Sequence, residues 1–151
     1  MNKVWTYIKS ILVPVILGGI VGFIISSFID YNSLQKPPFA PPSILFPIIW
    51  TILYILMGVS YGRLKSKELT DEKVNTIYYV QLAINLLWPI FFFVLKWRLF
   101  AFFWIVLLDV AVITMIMRFY KKDKIAGLLQ IPYIVWSLFA TYLNLGMYLL
   151  N

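Results

Sequence analysis

The sequence predicts an all-α integral membrane protein, built as a bundle of five transmembrane helices. Of its 151 residues, 62% are hydrophobic and only 13% are charged, whereas soluble domains contain about 45–50% apolar residues. Four or more apolar runs approach or exceed the roughly 18 residues that indicate a membrane-spanning helix. The length is that of one domain, and we therefore predict a single membrane domain over residues 1–151.

The first predicted span covers residues 8–29 and follows Lys3 and Lys9. A basic start before an apolar run is also typical of a signal peptide. This run is longer than a usual signal core and no small-residue cleavage site follows it, so we expect the segment to be retained. Gly18 and Gly22 form a GxxxG motif, which lets another helix approach closely. We favour packing within the bundle over a dimer interface.

A proline-rich stretch, residues 31–50, links the first two spans and contains five of the eight prolines. Proline fixes φ, lacks an N–H donor and moves the preceding residue out of the α region. Residues 36–42 are therefore predicted to form a stiff, extended connector. A simple spacer would not need such stiffness, so we predict that this segment, called the cover below, closes over a cavity. Its key residues are Lys36, Pro37, Pro41 and Pro42.

Four more spans follow at short intervals. Ser43 is the predicted N-cap of the second span, Pro89 is expected to break the end of the third, and Pro132 is expected to bend the fifth. Short links imply an antiparallel bundle in which consecutive helices are neighbours. The predicted bounds are residues 43–61, 74–95, 99–117 and 125–149.

The distribution of lysine and arginine predicts the orientation. Ten of the 13 basic residues fall on the side of the N-terminus, and the other three are Lys36, Lys96 and Arg98. Cytoplasmic links carry the excess of basic residues, so we expect a cytoplasmic N-terminus in a bacterial cell membrane. The same links could attract anionic lipid, but topology signalling is the simpler explanation. We expect no nucleic-acid partner.

The composition also limits the chemistry. The chain contains no cysteine and no histidine, which excludes disulfides, thiolate nucleophiles, imidazole ligands and histidine-based acid–base catalysis. We predict no metal site and no required cofactor. Asp109 is the one acid near the middle of a span, where a carboxylate must be neutral or tightly partnered. We favour a neutral, structural Asp109 that donates to another helix over a role in ligand binding or proton transfer.

Three spans carry stripes of aromatic and amide side chains, because residues spaced by three or four share one helix face. A single stripe of this kind usually reflects helix packing. Three stripes beneath one rigid cover predict a concave, mostly apolar pocket for a flat hydrophobic ligand. The stripes are Phe46, Trp50 and Tyr54 in the second span, Gln81, Asn85 and Trp88 in the third, and Pro132, Trp136, Ala140 and Asn144 in the fifth.

Three motifs distributed along nearly the whole chain resemble those of one membrane-protein family. They are Tyr31-x-x-Leu34-x-Lys36-Pro37-x-x-x-Pro41-Pro42 followed by Phe46 and Trp50, Gln81-Leu82-Ala83-x-Asn85-x-x-Trp88-Pro89, and Pro132-Tyr133-x-x-Trp136-x-x-Phe139-Ala140-Thr141-x-Leu143-Asn144. The sequence is similar to the translocator protein / tryptophan-rich sensory protein (TspO/MBR) family, also called peripheral-type benzodiazepine receptors.

This resemblance implies a five-helix bundle, commonly a homodimer, with a pocket under the first loop. It also implies that the ligands are porphyrins such as protoporphyrin IX, haem-like tetrapyrroles, or flat hydrophobic isoquinoline carboxamides. Some members degrade protoporphyrin in light, using two tryptophans that correspond to Trp50 and Trp136. With the stripes, the predicted ligand-binding residues are Tyr31, Phe46, Trp50, Tyr54, Asn85, Trp88, Trp136, Ala140 and Asn144.

The chain departs from the family pattern at two positions near the predicted pocket mouth. Asp30 and Phe39 stand where family members usually have tryptophan, and fewer indoles there are expected to change ligand choice. The cholesterol-recognition pattern of animal members requires a basic residue after a tyrosine, but only residues 149–151 follow Tyr148, and none is basic. We therefore expect no cholesterol binding through this motif.

Three functions remain open at this point. A tetrapyrrole-binding sensor or receptor is favoured by the stripes and the resemblance. A light-dependent porphyrin-degrading protein would use the indoles as reactants. A small transporter of porphyrins or other hydrophobic ligands would use Asp109 as its coupling carboxylate. It has the least support, because the chain shows neither an inverted repeat nor a second acid at membrane depth.

Overall fold

A computed structural model describes residues 2–151, and five of its helical segments are long and apolar enough to cross a membrane. The predicted fold class, an all-α bundle of five transmembrane helices, is confirmed. Helix α1 packs on α2, α3 on α4, and α4 also on α6. The helices are α1 (Lys3–Ile25), α2 (Leu45–Ser66), α3 (Glu72–Pro89), α4 (Arg98–Lys122), α5 (Lys124–Leu128) and α6 (Ile131–Leu150).

Several predicted helix ends are wrong, because hydropathy locates the membrane-embedded part of a helix rather than its caps. Helix α1 begins near Asn2, whose Oδ1 accepts a hydrogen bond of 2.9 Å from the amide of Val4. Helix α2 continues past the predicted residue 61 to Ser66. Arg63 and Lys65 in its last turn stabilise this end of the helix, because the helix dipole places partial negative charge at the C-terminus. Ser43 is not the N-cap of α2, since that position belongs to Ile44.

The predicted effect of proline on the helices is confirmed for Pro89 and wrong for Pro132. Pro89 ends α3 as predicted, and the chain continues through one π-helical turn, Ile90–Val94. Pro132 does not bend a continuous fifth span. The break falls at residues 129–130, between α5 and α6, and Pro132 lies in the first turn of α6. Proline is favoured there because its missing N–H would have had no helical partner.

Two glycines of α2 give the closest approach between α1 and α2. A Cβ on Gly58 would overlap the α1 backbone, and one on Gly62 would lie 3.1 Å from the Tyr7 side chain. The GxxxG motif of α1, which was predicted to pack closely against another helix, does so at only one of its two glycines. Gly18 faces the ring of Tyr54, whereas a Cβ on Gly22 would meet nothing within 4 Å.

Ion pairs fasten the end of the bundle that carries most basic residues. Asp123 pairs with Arg63 at 2.9 Å and with Lys67 at 2.6 Å, which ties α2 to the junction of α4 and α5. The hydrogen bond from Arg63 is the main reason that the pKa of Asp123 is far below its usual value. Asp71 caps α3 and pairs with Lys122 at 2.7 Å. These contacts fix the α2–α3 and α4–α5 links.

The cover, residues 36–42, is non-helical as predicted, but it is not extended throughout. A turn interrupts it, in which the amide of Ala40 donates to the carbonyl of Pro37 at 3.4 Å. Pro38 and Phe39 occupy the central positions, and Phe39 has φ of 69°. Proline followed by a positive φ is the pattern of a type II turn. The turn leaves Phe39 89% exposed.

Candidate ligand-binding cavity

A cavity of about 410 Å³ lies between α1, α2, α3 and α6, next to the 3₁₀ turn Tyr31–Ser33. Its volume falls within the range of small-molecule pockets, about 300–1,000 Å³. Its walls are mostly aromatic and aliphatic, with a few polar side chains that include Asn85 and Asn144, and none of its lining residues is charged. An apolar, flat-walled chamber of this kind suits a large hydrophobic ligand whose charged groups remain outside the cavity itself.

Seven of the nine predicted ligand-binding residues line this cavity. They are Tyr31, Phe46, Trp50, Tyr54, Asn85, Trp88 and Asn144. None of the cover prolines lines the cavity. Tyr31, which precedes the cover in the loop between α1 and α2, is the predicted ligand-binding residue of this loop that does. The structure therefore brings the α2 stripe, two members of the α3 stripe and one end of the α6 stripe to one cavity, whereas Gln81 of the α3 stripe does not line it.

Trp136 and Ala140 lie away from the cavity wall. The Trp136 ring is behind the α2 stripe, with its centroid 5.6 Å from that of Phe46 and 6.5 Å from that of Trp50. On its other side it lines a separate apolar groove between α2 and α6. Ala140 is only 3% exposed, in the core. An i, i+4 stripe rotates about 40° per step around a helix, so its two ends face different neighbours.

Helix α1 supplies the wall that the stripes did not predict. Val15, Gly18, Gly19, Gly22 and Ile25 all line the cavity. The sequence signal was the glycine motif, which we interpreted as a helix-packing groove. The open space beside Gly22 shows that part of this motif leaves room for the cavity instead.

A buried hydrogen-bond chain orients the cavity amide of Asn85. The Tyr54 hydroxyl donates to Asn85 Oδ1 at 2.6 Å, and Asn85 Nδ2 donates to the Tyr133 hydroxyl at 2.7 Å. Tyr133 in turn donates to Gln81 Oε1 at 2.7 Å. These contacts join α2, α3 and α6. An amide has two N–H donors and two acceptor lone pairs, so Asn85 keeps one of each for a ligand.

The two cavity tryptophans of α2 and α3 differ in their free hydrogen-bonding capacity. Trp88 Nε1 donates to Asn144 Oδ1 at 2.9 Å, and Asn144 Nδ2 donates to the backbone carbonyl of Arg98 at 2.8 Å. The Trp50 N–H has no such partner within residues 2–151. An indole nitrogen is a donor only. Trp50 is therefore the cavity indole that can donate to a ligand.

Asp109 lies outside the cavity lining and joins α4 to α6. Its Oδ1 is 2.5 Å from the Ser137 hydroxyl, and its Oδ2 is 2.6 Å from the Thr141 hydroxyl. Thr141 Oγ1 also lies 2.9 Å from the Ser137 carbonyl, but a hydroxyl has one proton to donate. If that proton goes to the carbonyl, Asp109 must donate to Thr141. This arrangement supports a neutral, structural Asp109.

We expect Asp109→Asn to fold and bind ligand as the parent does between about pH 5 and 8. An asparagine repeats the neutral pattern, because its oxygen accepts from Ser137 and its N–H₂ donates to Thr141. The check is thermal unfolding and ligand affinity across this pH range. A parent binding curve that depends on pH, and that becomes flat in the variant, would contradict the structural role.

Hydrogen bonds fix the cover to Tyr31 on one side and to α6 on the other. The Tyr31 hydroxyl donates to the carbonyl of Pro41 at 2.5 Å, and the Tyr142 hydroxyl of α6 donates to that of Pro38 at 2.7 Å. Lys36 Nζ lies 4.9 Å above the Tyr31 ring. A tyrosine hydroxyl is already protonated at neutral pH, and burial raises the pKa of the Tyr31 hydroxyl further. The cover thus fixes the ring of Tyr31 at the cavity wall.

Fold and cavity together define a five-helix membrane protein with an internal aromatic chamber beside a proline-rich loop. The TspO/MBR family profile matches residues 10–150, and the chain belongs to this family. It is 39% identical over 147 residues to the tryptophan-rich protein TspO of Archaeoglobus fulgidus, which covers 95% of both chains.

Two further relatives come from a bacterium and from an animal. The tryptophan-rich sensory protein of Cereibacter sphaeroides is 31% identical over 151 residues, which is 100% of this chain and 95% of the relative. The human translocator protein is 35% identical over 120 residues, or 76% of this chain and 70% of the relative. The expected family and its membrane location are therefore confirmed.

Proposed function

We propose that this protein is a membrane-embedded tetrapyrrole sensor or receptor whose porphyrin site is the cavity between α1, α2, α3 and α6. One observation carries the proposal: two residues on the wall of one apolar cavity keep hydrogen-bonding groups for a ligand. Trp50 has a free N–H donor, and Asn85 has one unused N–H and one unused acceptor position. Large flat ligands bind well where aromatic faces supply contact area and a few polar groups fix orientation.

The aromatic geometry of the α2 wall supports a flat ligand. The rings of Trp50 and Tyr54 are 6.0 Å apart with planes inclined by only 29°, so the two present nearly parallel faces. Tyr31 and Phe46 meet edge to face at 5.0 Å nearer the cover. A planar macrocycle stacked on the first pair would direct its edge toward Asn85 or toward the cover.

Light-dependent porphyrin degradation is the second candidate function. It is favoured by the contact between Trp50 and Trp136, whose ring planes lie at 83° with centroids 6.5 Å apart. In this arrangement Trp50 touches the ligand and Trp136 acts through Trp50. The transporter hypothesis gains no comparable support, since Asp109 is bonded to two hydroxyls of α6 and does not line the cavity.

The absorbance spectrum of protoporphyrin IX with purified protein, in the dark and under illumination, tests both candidates. In the dark we expect a saturable spectral shift that Trp50→Phe weakens by about 1 kcal/mol, the value of one hydrogen bond. If Trp50 is a reactant, illumination should bleach the porphyrin, and Trp50→Phe should reduce bleaching far more than binding.

Trp97→Phe is the matched control, because Trp97 is 53% exposed and does not line the cavity. No dark shift in the parent would contradict the binding proposal. Equal losses of binding and bleaching in Trp50→Phe would remove the reactant role for this indole.

Two further expectations extend the proposal. The bundle end opposite the cover carries most of the basic residues, which supports an N-terminus in the cytoplasm. The homodimer implied by the family resemblance is retained as an expectation, together with flat hydrophobic ligands of the isoquinoline carboxamide type.

A further inference from the structure

An ion pair joins the end of the first span to the start of α4 at the cover end of the bundle. Arg98 Nη2 lies 2.8 Å from Asp30 Oδ1 and 2.6 Å from Asp30 Oδ2. Lys96 Nζ lies 3.6 Å from the same Oδ2. One acid and two bases leave this group, called the Arg98 cluster below, with one net positive charge.

The Arg98 cluster borders the cavity, although none of its members lines it. Asp30 lies between Ile29 and Tyr31, which both line the cavity. The Arg98 guanidinium is 5.0 Å from the ring centroid of Phe92, another lining residue. A positive charge next to a chamber with uncharged walls favours a ligand that carries negative charge at its edge.

Arg98 has unused hydrogen-bonding capacity. Its Nε is buried and has no hydrogen-bond partner among residues 2–151, and its side chain is only 13% exposed. Nearly all buried polar groups in proteins are partnered, so this orphan donor needs an explanation. Guanidinium groups form strong, charge-assisted hydrogen bonds to carboxylates. Both Asp30 contacts are to Nη2, which leaves the Nε N–H as one donor for another acceptor.

We propose that Arg98, assisted by Lys96, receives a carboxylate of the ligand, so that the cavity selects anionic over uncharged tetrapyrroles. This inference rests on the function proposed above. Asp30 holds the guanidinium beside the cavity and competes with the ligand carboxylate for it. The site thus combines uncharged aromatic walls for the macrocycle with one cationic position for its acidic side chains.

The test compares the Kd of protoporphyrin IX with that of its dimethyl ester, which has the same ring and no carboxylates. We expect the parent to prefer the acid, and Arg98→Gln to reduce the acid-to-ester preference about tenfold. Asp30→Asn should increase this preference, because it frees the guanidinium. Partition of each compound into detergent cancels when the ratio is compared between variants. Lys121→Gln removes one positive charge at the opposite end of the bundle and should leave the ratio unchanged.

A purely structural ion pair predicts a different result. Arg98→Gln and Asp30→Asn would then weaken both compounds by the same factor, and this outcome would overturn the inference while leaving the porphyrin site intact. If Arg98→Gln does not fold, salt dependence of the parent decides: acid binding should weaken with added salt and ester binding should not. Equal salt dependence would also overturn the inference. Failure of both compounds to bind the parent would instead contradict the proposed function.

Discussion

Replacing Gly22 with tryptophan is expected to abolish porphyrin binding and to leave the bundle folded. Gly22 lies near the middle of the α1 face that lines the cavity, and a Cβ there would meet nothing within 4 Å. An indole at this position would occupy space that the ligand needs. The loss should exceed about a hundredfold, or roughly 2.7 kcal/mol. Replacing glycine by tryptophan in a helix interior should itself stabilise α1 by up to about 0.5 kcal/mol, because tryptophan has the higher helix propensity.

Gly22→Ala is the matched control for this variant. It also raises helix propensity, by more than tryptophan does, but it fills almost none of the cavity, so its affinity should match that of the parent within about twofold. Both variants should unfold at or above the parental temperature. Parental affinity in Gly22→Trp would show that the porphyrin binds somewhere else.

Replacing Gly146 with leucine is expected to displace the cover and to release ligand more than about tenfold faster. A Cβ at Gly146 would lie within 3.2 Å of three side-chain atoms of Pro37, and the rigid pyrrolidine ring cannot move without the loop. The rate constant for dissociation should change more than that for association, because a lid limits escape more than encounter.

Stopped-flow measurement of a fluorescent ligand tests this prediction. Pro41→Gly with Pro42→Gly loosens the cover without pushing it away, and it should add about 1–2 kcal/mol of entropy to the open state. Leu138→Ala removes an exposed side chain of α6 and should leave the off-rate unchanged. An unaltered off-rate in Gly146→Leu would mean that the cover does not act as a lid.

The fold could be predicted because its determinants are local. Apolar runs, charged links and prolines mark five spans without any knowledge of the helices' partners. The α2 wall was predictable for the same reason, since Phe46, Trp50 and Tyr54 repeat every four residues along one short helix segment. Hydropathy alone did not locate the helix caps.

The rest of the site depends on which helices meet. The GxxxG pattern occurs at Gly18 and again at Gly58, but spacing alone does not reveal which glycine contacts a helix backbone and which borders open space. The α6 stripe did not indicate that Tyr133 orients Asn85, because Tyr133 follows Pro132 directly and so lies on a different face of the helix. Asp30 and Arg98 are 68 positions apart, yet the predicted topology puts both at the cover end, and that signal could have paired them.

The account depends most on one porphyrin occupying the cavity beside Trp50, and titration of intrinsic tryptophan fluorescence with protoporphyrin IX in the dark tests this directly. Emission from the parent protein should be quenched in a saturable curve, with one ligand per chain and a Kd in the micromolar range. Emission from Gly22→Trp, corrected for its added indole, should show only the weak, linear quenching that non-specific partition causes. A linear response from the parent, or identical curves from parent and Gly22→Trp, would contradict the account.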